Sequence, residues 1–133
     1  MSFQRGLTTY RQTQVQSRTP LELVVMLYDG ALTFLHQTRD AIERGDIAAR
    51  RDASSRAITI ISELQSTLNM AQGGDIARRL DELYDYVNAC ILRAAADNAV
   101  GPIDDATRVL GILRDSWVAI ATPAADASVR GAA

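Results

Sequence analysis

The chain has 133 residues, 47% hydrophobic and 23% charged, enough for one globular domain to bury roughly two-thirds of its surface without a disulfide or metal staple. Its 14 basic side chains, all arginine, are scattered against 16 acidic ones for a net charge of -2, which leaves no electrostatic footprint for nucleic acid. Cys90 is alone, charges interrupt every apolar stretch well short of the ~20 residues that span a bilayer, and Met1 to Gln12 hold no apolar signal core. The expectation is a cytoplasmic protein with no membrane insertion.

Residues 1–18 are polar, with Phe3, Leu7, Tyr10 and Val15 as their only large apolar groups, and read as a flexible arm or a short extra helix. Thr19-Pro20-Leu21-Glu22 then supplies an N-cap hydroxyl, a proline at the first helical position and a glutamate three residues after the cap. Apolar residues follow at helical spacing from Leu23 to Ile42, and Gly45 stops the helix. Gly45-Asp46-Ile47 is a stop followed directly by a start, and the same tripeptide recurs as Gly74-Asp75-Ile76.

A second helix is predicted from about Ile47 to Met70, with Ala53, Ala57, Ile60, Ile61, Leu64 and Leu68 on one face. A third runs from about Ile76 to Ala96, striped by Leu80, Leu83, Tyr84, Val87, Cys90, Ile91 and Ala94. After a break at Asp97 to Gly101, Pro102 opens a fourth, marked by Ile103, Ala106, Val109, Leu110, Leu113, Trp117 and Ile120. The predicted fold is all-α, an antiparallel up-down four-helix bundle over residues 19–121. Residues 122–133 offer little to bury and read as a disordered tail.

Enzyme signatures fail in turn. His36 is the only histidine, which excludes two-histidine metal sites and the paired Glu-x-x-His sites of di-iron bundles. The glycines form neither a dinucleotide fingerprint nor a phosphate loop, and nothing places a serine or Cys90 beside His36 and a third orienting group. No enzyme, cofactor or metal is expected. The alternative reading is a histidine phosphotransfer-like signalling bundle using His36, but Leu35-His36-Gln37-Thr38-Arg39 lacks the basic and glycine residues that usually follow such a histidine.

The informative anomaly lies between Leu21 and Tyr28, where only Glu22 is polar. A bundle helix needs an apolar arc of a little over 100°. Something beyond the core therefore has to cover Leu21, Val25, Met26 or their neighbours: either this helix is central to the bundle, or it borders an apolar groove for a partner helix, capped by a displaceable segment. Tyr10 and Val15 are the cap candidates, and Tyr84 and Tyr86, two residues apart, point to different sides of the third helix. Self-association through the groove, giving a homodimer, is a further reading.

Thr19-Pro20-Leu21-Glu22-Leu23-Val24-Val25-Met26-Leu27-Tyr28-Asp29-Gly30-Ala31 resembles the helix-one signature of the flagellar secretion chaperones of the FliS family. Leu64 to Asn69, Gly73 to Ala77, Leu83 to Asn88 and Leu113-Arg114-Asp115-Ser116-Trp117 resemble further family stretches in the same order. The resemblance implies a helical bundle that binds the C-terminal segment of flagellin in the cytoplasm, prevents its premature polymerisation and hands it to the flagellar type III export apparatus. It further implies that the arm, through Tyr10 and Val15, occupies part of a groove formed by Leu23, Met26, Leu27 and Tyr28, with Leu68, Tyr84 and Tyr86 as secondary candidates.

Overall fold

The computed structural model describes residues 18–121. They form four α-helices: α1 Pro20–Arg44, α2 Ile47–Ser66, α3 Met70–Asp97 and α4 Val100–Ala121. Connections of two or three residues force neighbours to run in opposite directions, so the chain goes up, down, up and down. The helices are arranged as a square: α1 packs against α2 and α4, and α3 against the same two. The starts of α1 and α3 thus share one end of the bundle with the finishes of α2 and α4.

Local chemistry sets most of these boundaries. The Thr19 side chain accepts from the Glu22 amide at 3.2 Å, with Pro20 directly after the cap, as the sequence predicts. Gly45 closes α1 in the left-handed region at φ 72°, and Asp46 caps α2 by accepting from the Ala49 amide at 3.0 Å.

Three boundaries depart from the sequence reading. Helix α2 ends at Ser66, not near Met70, because the Thr67 hydroxyl bonds back to the Leu64 carbonyl and the Asn69 side chain accepts from the Gln72 amide to begin a new helix. Helix α3 accordingly starts at Met70, six residues before the predicted Ile76, and the second Gly-Asp-Ile tripeptide marks a kink within it rather than a stop and start. Helix α4 begins at Val100, so Pro102 is its third residue; the first-turn amides have no intrahelical acceptor, and proline costs nothing there.

The kink rests on one residue. Gly74 sits at φ 55°, ψ -130°, a combination that side chains with a Cβ scarcely adopt. Gly111, inside α4, has only open space around the position of a Cβ. Gly74→Ala is therefore expected to lower stability by about 1–3 kcal/mol, while Gly111→Ala raises it by about 0.5–1 kcal/mol through helix propensity. Urea unfolding midpoints at constant slope check both signs.

The core takes one stripe from each helix, with Tyr28, Ala31 and Leu35 meeting Ala57, Ile61 and Leu64, and Tyr84, Val87, Cys90 and Ile91 meeting Ile103, Ala106 and Leu110. The polar group in the middle of α1, Thr38, is fully buried and satisfied, its hydroxyl donating to the Phe34 carbonyl at 2.7 Å. Ile120, expected in the α4 stripe, is instead 60% exposed, since it falls at the last turn of α4, beyond the packed core. The exposed ion pairs Arg39–Asp104 and Arg114–Asp29, each at 2.8 Å, tie α1 to α4 and add little stability in solvent. Between α2 and α3, the Gln65 amide donates to Asp81 at 2.8 Å and Asp85 at 2.7 Å.

Candidate functional site

At the end of the bundle where α1 and α3 begin, a groove of about 390 Å³ opens between all four helices. Its walls are Pro20, Leu21 and Val24 from α1, Leu64 from α2, and Thr67, Leu68 and Asn69 from the turn that follows. The opposite wall is Gly73, Ile76, Ala77, Leu80 and Tyr84 of α3, with Trp117 of α4. None of these thirteen residues is charged. Leu21 and Ile76 lie outside the packed core, and Ile76 is 72% exposed. An uncharged concavity with exposed aliphatic rims suits the apolar face of an amphipathic helix better than a reacting small molecule.

Beneath the groove two aromatic side chains meet across the bundle diagonal. Tyr28 of α1 and Tyr84 of α3 have ring centroids 6.4 Å apart, tilted by 49°, and their hydroxyls are 2.6 Å apart. Either hydroxyl alone would be a buried polar group without a partner, and together they satisfy each other. Burial pushes both phenols above their ordinary range. The Tyr84–Tyr28 hydrogen bond pushes Tyr84 up further and offsets part of the rise at Tyr28. Trp117 of α4 is half-buried against the same core and lines the groove.

A second cavity, about 370 Å³, lies on the α1/α4 side, with Val25 and Met26 facing Val118 and Ala121 and with Arg18, Glu22 and Asp29 at its edge. The apolar excess of α1 is thereby accounted for. Leu21 and Val24 line the groove, Val25 and Met26 line the second cavity, and Leu27 packs against the core.

Of the nine residues singled out from the sequence, the structure brings Leu68 and Tyr84 together in the groove. Tyr28 is fully buried below it, Met26 faces the second cavity, and Leu23 is half-buried and lines neither. Tyr86 is 43% exposed on the outer side of α3, away from both. Tyr10 and Val15 lie outside the described residues. Periodicity did not single out Leu64, Leu80 and Trp117 as groove residues. The usable signal was topological, because an up-down bundle brings the finishes of the second and fourth helices beside the start of the first.

Among the described residues no cluster of three or more His, Cys, Asp or Glu is placed to hold a metal ion, and no helix is long and apolar enough to cross a membrane. His36 lies exposed on α1.

Fold and groove together define a four-helix bundle that opens an uncharged groove at one end. The family described as "Flagellar protein FliS" matches residues 3–124, and the chain belongs to that family. It is 36% identical over 124 residues to the flagellar secretion chaperone FliS of Salmonella typhimurium, covering 90% of this chain and 92% of the relative. It is 33% identical over 116 residues to that of Vibrio cholerae, covering 84% and 85%, and 32% identical over 117 residues to that of Bacillus subtilis, covering 88% and 86%. The chain is thus a member of a flagellar secretion chaperone family with a helical-bundle fold.

Proposed function

We propose that the protein is a non-enzymatic cytoplasmic export chaperone that binds the C-terminal segment of flagellin, prevents its premature polymerisation and delivers it to the flagellar export apparatus. The observation that carries this reading is the uncharged groove at the end of the bundle. A segment that is disordered alone and presents an apolar face for filament packing would self-associate when free, and a complementary groove competes for that face. Coupled folding and binding returns part of the contact energy as ordering cost, which leaves a complex that export can pull apart without a nucleotide.

Residues 1–17 join α1 through Arg18, two residues before the groove wall begins at Pro20. Tyr10 and Val15 are the proposed cap, because a tethered segment competes effectively even with weak contacts.

Titration calorimetry with a synthetic peptide of the C-terminal flagellin segment tests the reading. Saturable binding with a negative heat-capacity change is expected. Absence of heat at two temperatures together with absence of co-elution would overturn it. A mass that grows with concentration, with no response to the peptide, would assign the groove to self-association instead.

A further inference from the structure

Resting on the flagellin reading, we infer that Gly73 and Gly74 are the positioning residues of the groove: the bare contact between Gly73 and Ala77 sets where the first turn of α3 stands, and with it the width offered to the bound segment. The kink lies inside the groove wall. Asn69 and Gly73 line the groove before it, and Ile76, Ala77 and Leu80 line it after. In an unbroken helix, Cβ positions four residues apart are about 5–6 Å from each other. A Cβ placed on Gly73 would stand 2.6 Å from that of Ala77. The first turn of α3 therefore does not continue the helix axis. It is folded back at Gly74 until the backbone at Gly73 rests on the Ala77 methyl, an approach that only glycine allows.

Its own hydrogen bonds make that turn one stiff piece. The Asn69 side chain accepts from the Gln72 amide at 3.0 Å and donates to the Gln72 side-chain oxygen at 3.2 Å, while the Asn69 carbonyl accepts from the Gly73 amide at 2.7 Å. The turn consequently shifts as a unit, carrying Asn69 and the attached Leu68 with it.

A methyl at position 73 has to stand at the ~3.5–4.0 Å where carbon atoms pack, which pushes the turn about 1 Å away from Ala77. A gap of that size forfeits about a quarter to a half of each dispersion contact across it. A segment packed against Leu21 and Val24 on one side and the Gly73 turn on the other cannot keep both contacts. Apolar attraction has no direction of its own, and no charged side chain stands in this wall. The stance of the wall is thus what distinguishes one apolar segment from another.

The test titrates full-chain variants with the same C-terminal flagellin peptide. Folded Gly73→Ala should bind about tenfold more weakly than the wild type. Ala77→Gly removes the methyl that the new one strikes, so combining Gly73→Ala with Ala77→Gly should bring affinity back to within about twofold of wild type, a coupling that a double-mutant cycle reads directly. A merely structural role changes the melting temperatures of these variants and leaves the affinity of the folded fraction unchanged.

In the wild-type protein carrying nitrogen-labelled glycine, the amide NMR signals of Gly73 and Gly74 should shift when peptide is added, while that of Gly111, outside the groove, stays in place. This measurement decides the matter if Gly73→Ala does not fold. Gly73→Ala at full affinity overturns the inference, as does a loss that Ala77→Gly fails to restore, which would mean that the new methyl itself blocks the groove. Unshifted Gly73 and Gly74 signals in a wild-type protein that binds overturn it too, and all three results spare the flagellin reading. Failure of the wild type to bind overturns both.

Discussion

Leu21→Asp should weaken binding of the flagellin segment by about a hundredfold or more while leaving the bundle folded. Leu21 lines the groove but is not part of the packed core, so its removal opens no internal cavity. It is also the second residue of α1, where the helix macrodipole favours a carboxylate, and Glu22 already places one in the same turn. The fold therefore tolerates the charge when the groove is open to water. Once a segment covers the groove the carboxylate is enclosed by uncharged walls, at a desolvation cost of several kcal/mol. Circular dichroism and calorimetry on the same sample separate the two effects: helical content unchanged, peptide heat lost. Retained affinity would place the binding surface elsewhere on the molecule.

The loss at Leu21 also distinguishes the two cavities beside α1. Met26 faces the second one, so a charge introduced there tests a surface five residues along the same helix and around its side. Both surfaces arise from a single sequence feature. Leu21, Val24, Val25 and Leu27 are all apolar, yet they meet three environments, the groove for Leu21 and Val24, the second cavity for Val25 and the core for Leu27, because consecutive helical residues point about 100° apart. Sequence reading registers the excess of apolar residues. It cannot allocate them among neighbours, since that depends on which helices flank α1 in space.

The tyrosines show the same division. The spacing of Tyr84 and Tyr86 correctly separates a buried side chain from an exposed one. Nothing in the local pattern links Tyr84 to Tyr28, 56 residues away, and it is that pairing which turns two interface-type residues into a hydrogen-bonded support beneath the groove. Capping chemistry was legible where the sequence carried it alone, as at Thr19-Pro20 and Gly45-Asp46. It was hidden at Asn69, because Leu68 and Met70 on either side continue the apolar rhythm of α2 and mask a cap between them. The groove wall depends on that hidden turn, which carries Thr67, Leu68 and Asn69 to the open end.

Stability and binding should separate in the opposite sense at the middle of the bundle. Leu35 is completely buried on α1 and belongs to the core cluster, whereas Leu92 on α3 is 60% exposed. Leu35→Ala removes three buried carbon atoms and leaves a space that closely packed helices relax into only partly, so a loss of about 3 kcal/mol is expected. For a domain of this size that lowers the melting temperature by about 10 °C. Leu92→Ala deletes the same atoms from a surface that water already reaches, and should change stability by less than about 0.5 kcal/mol. Neither residue lines the groove, so below the melting temperature both variants should bind the flagellin peptide with wild-type affinity. Thermal unfolding followed by circular dichroism checks the contrast, and equal losses at the two positions would contradict the burial of Leu35 in the core. Peptide affinity lost in Leu35→Ala while the protein remains folded would mean that the core and the groove are mechanically coupled, with Tyr28, two turns before Leu35 on the same buried face, as the connecting residue.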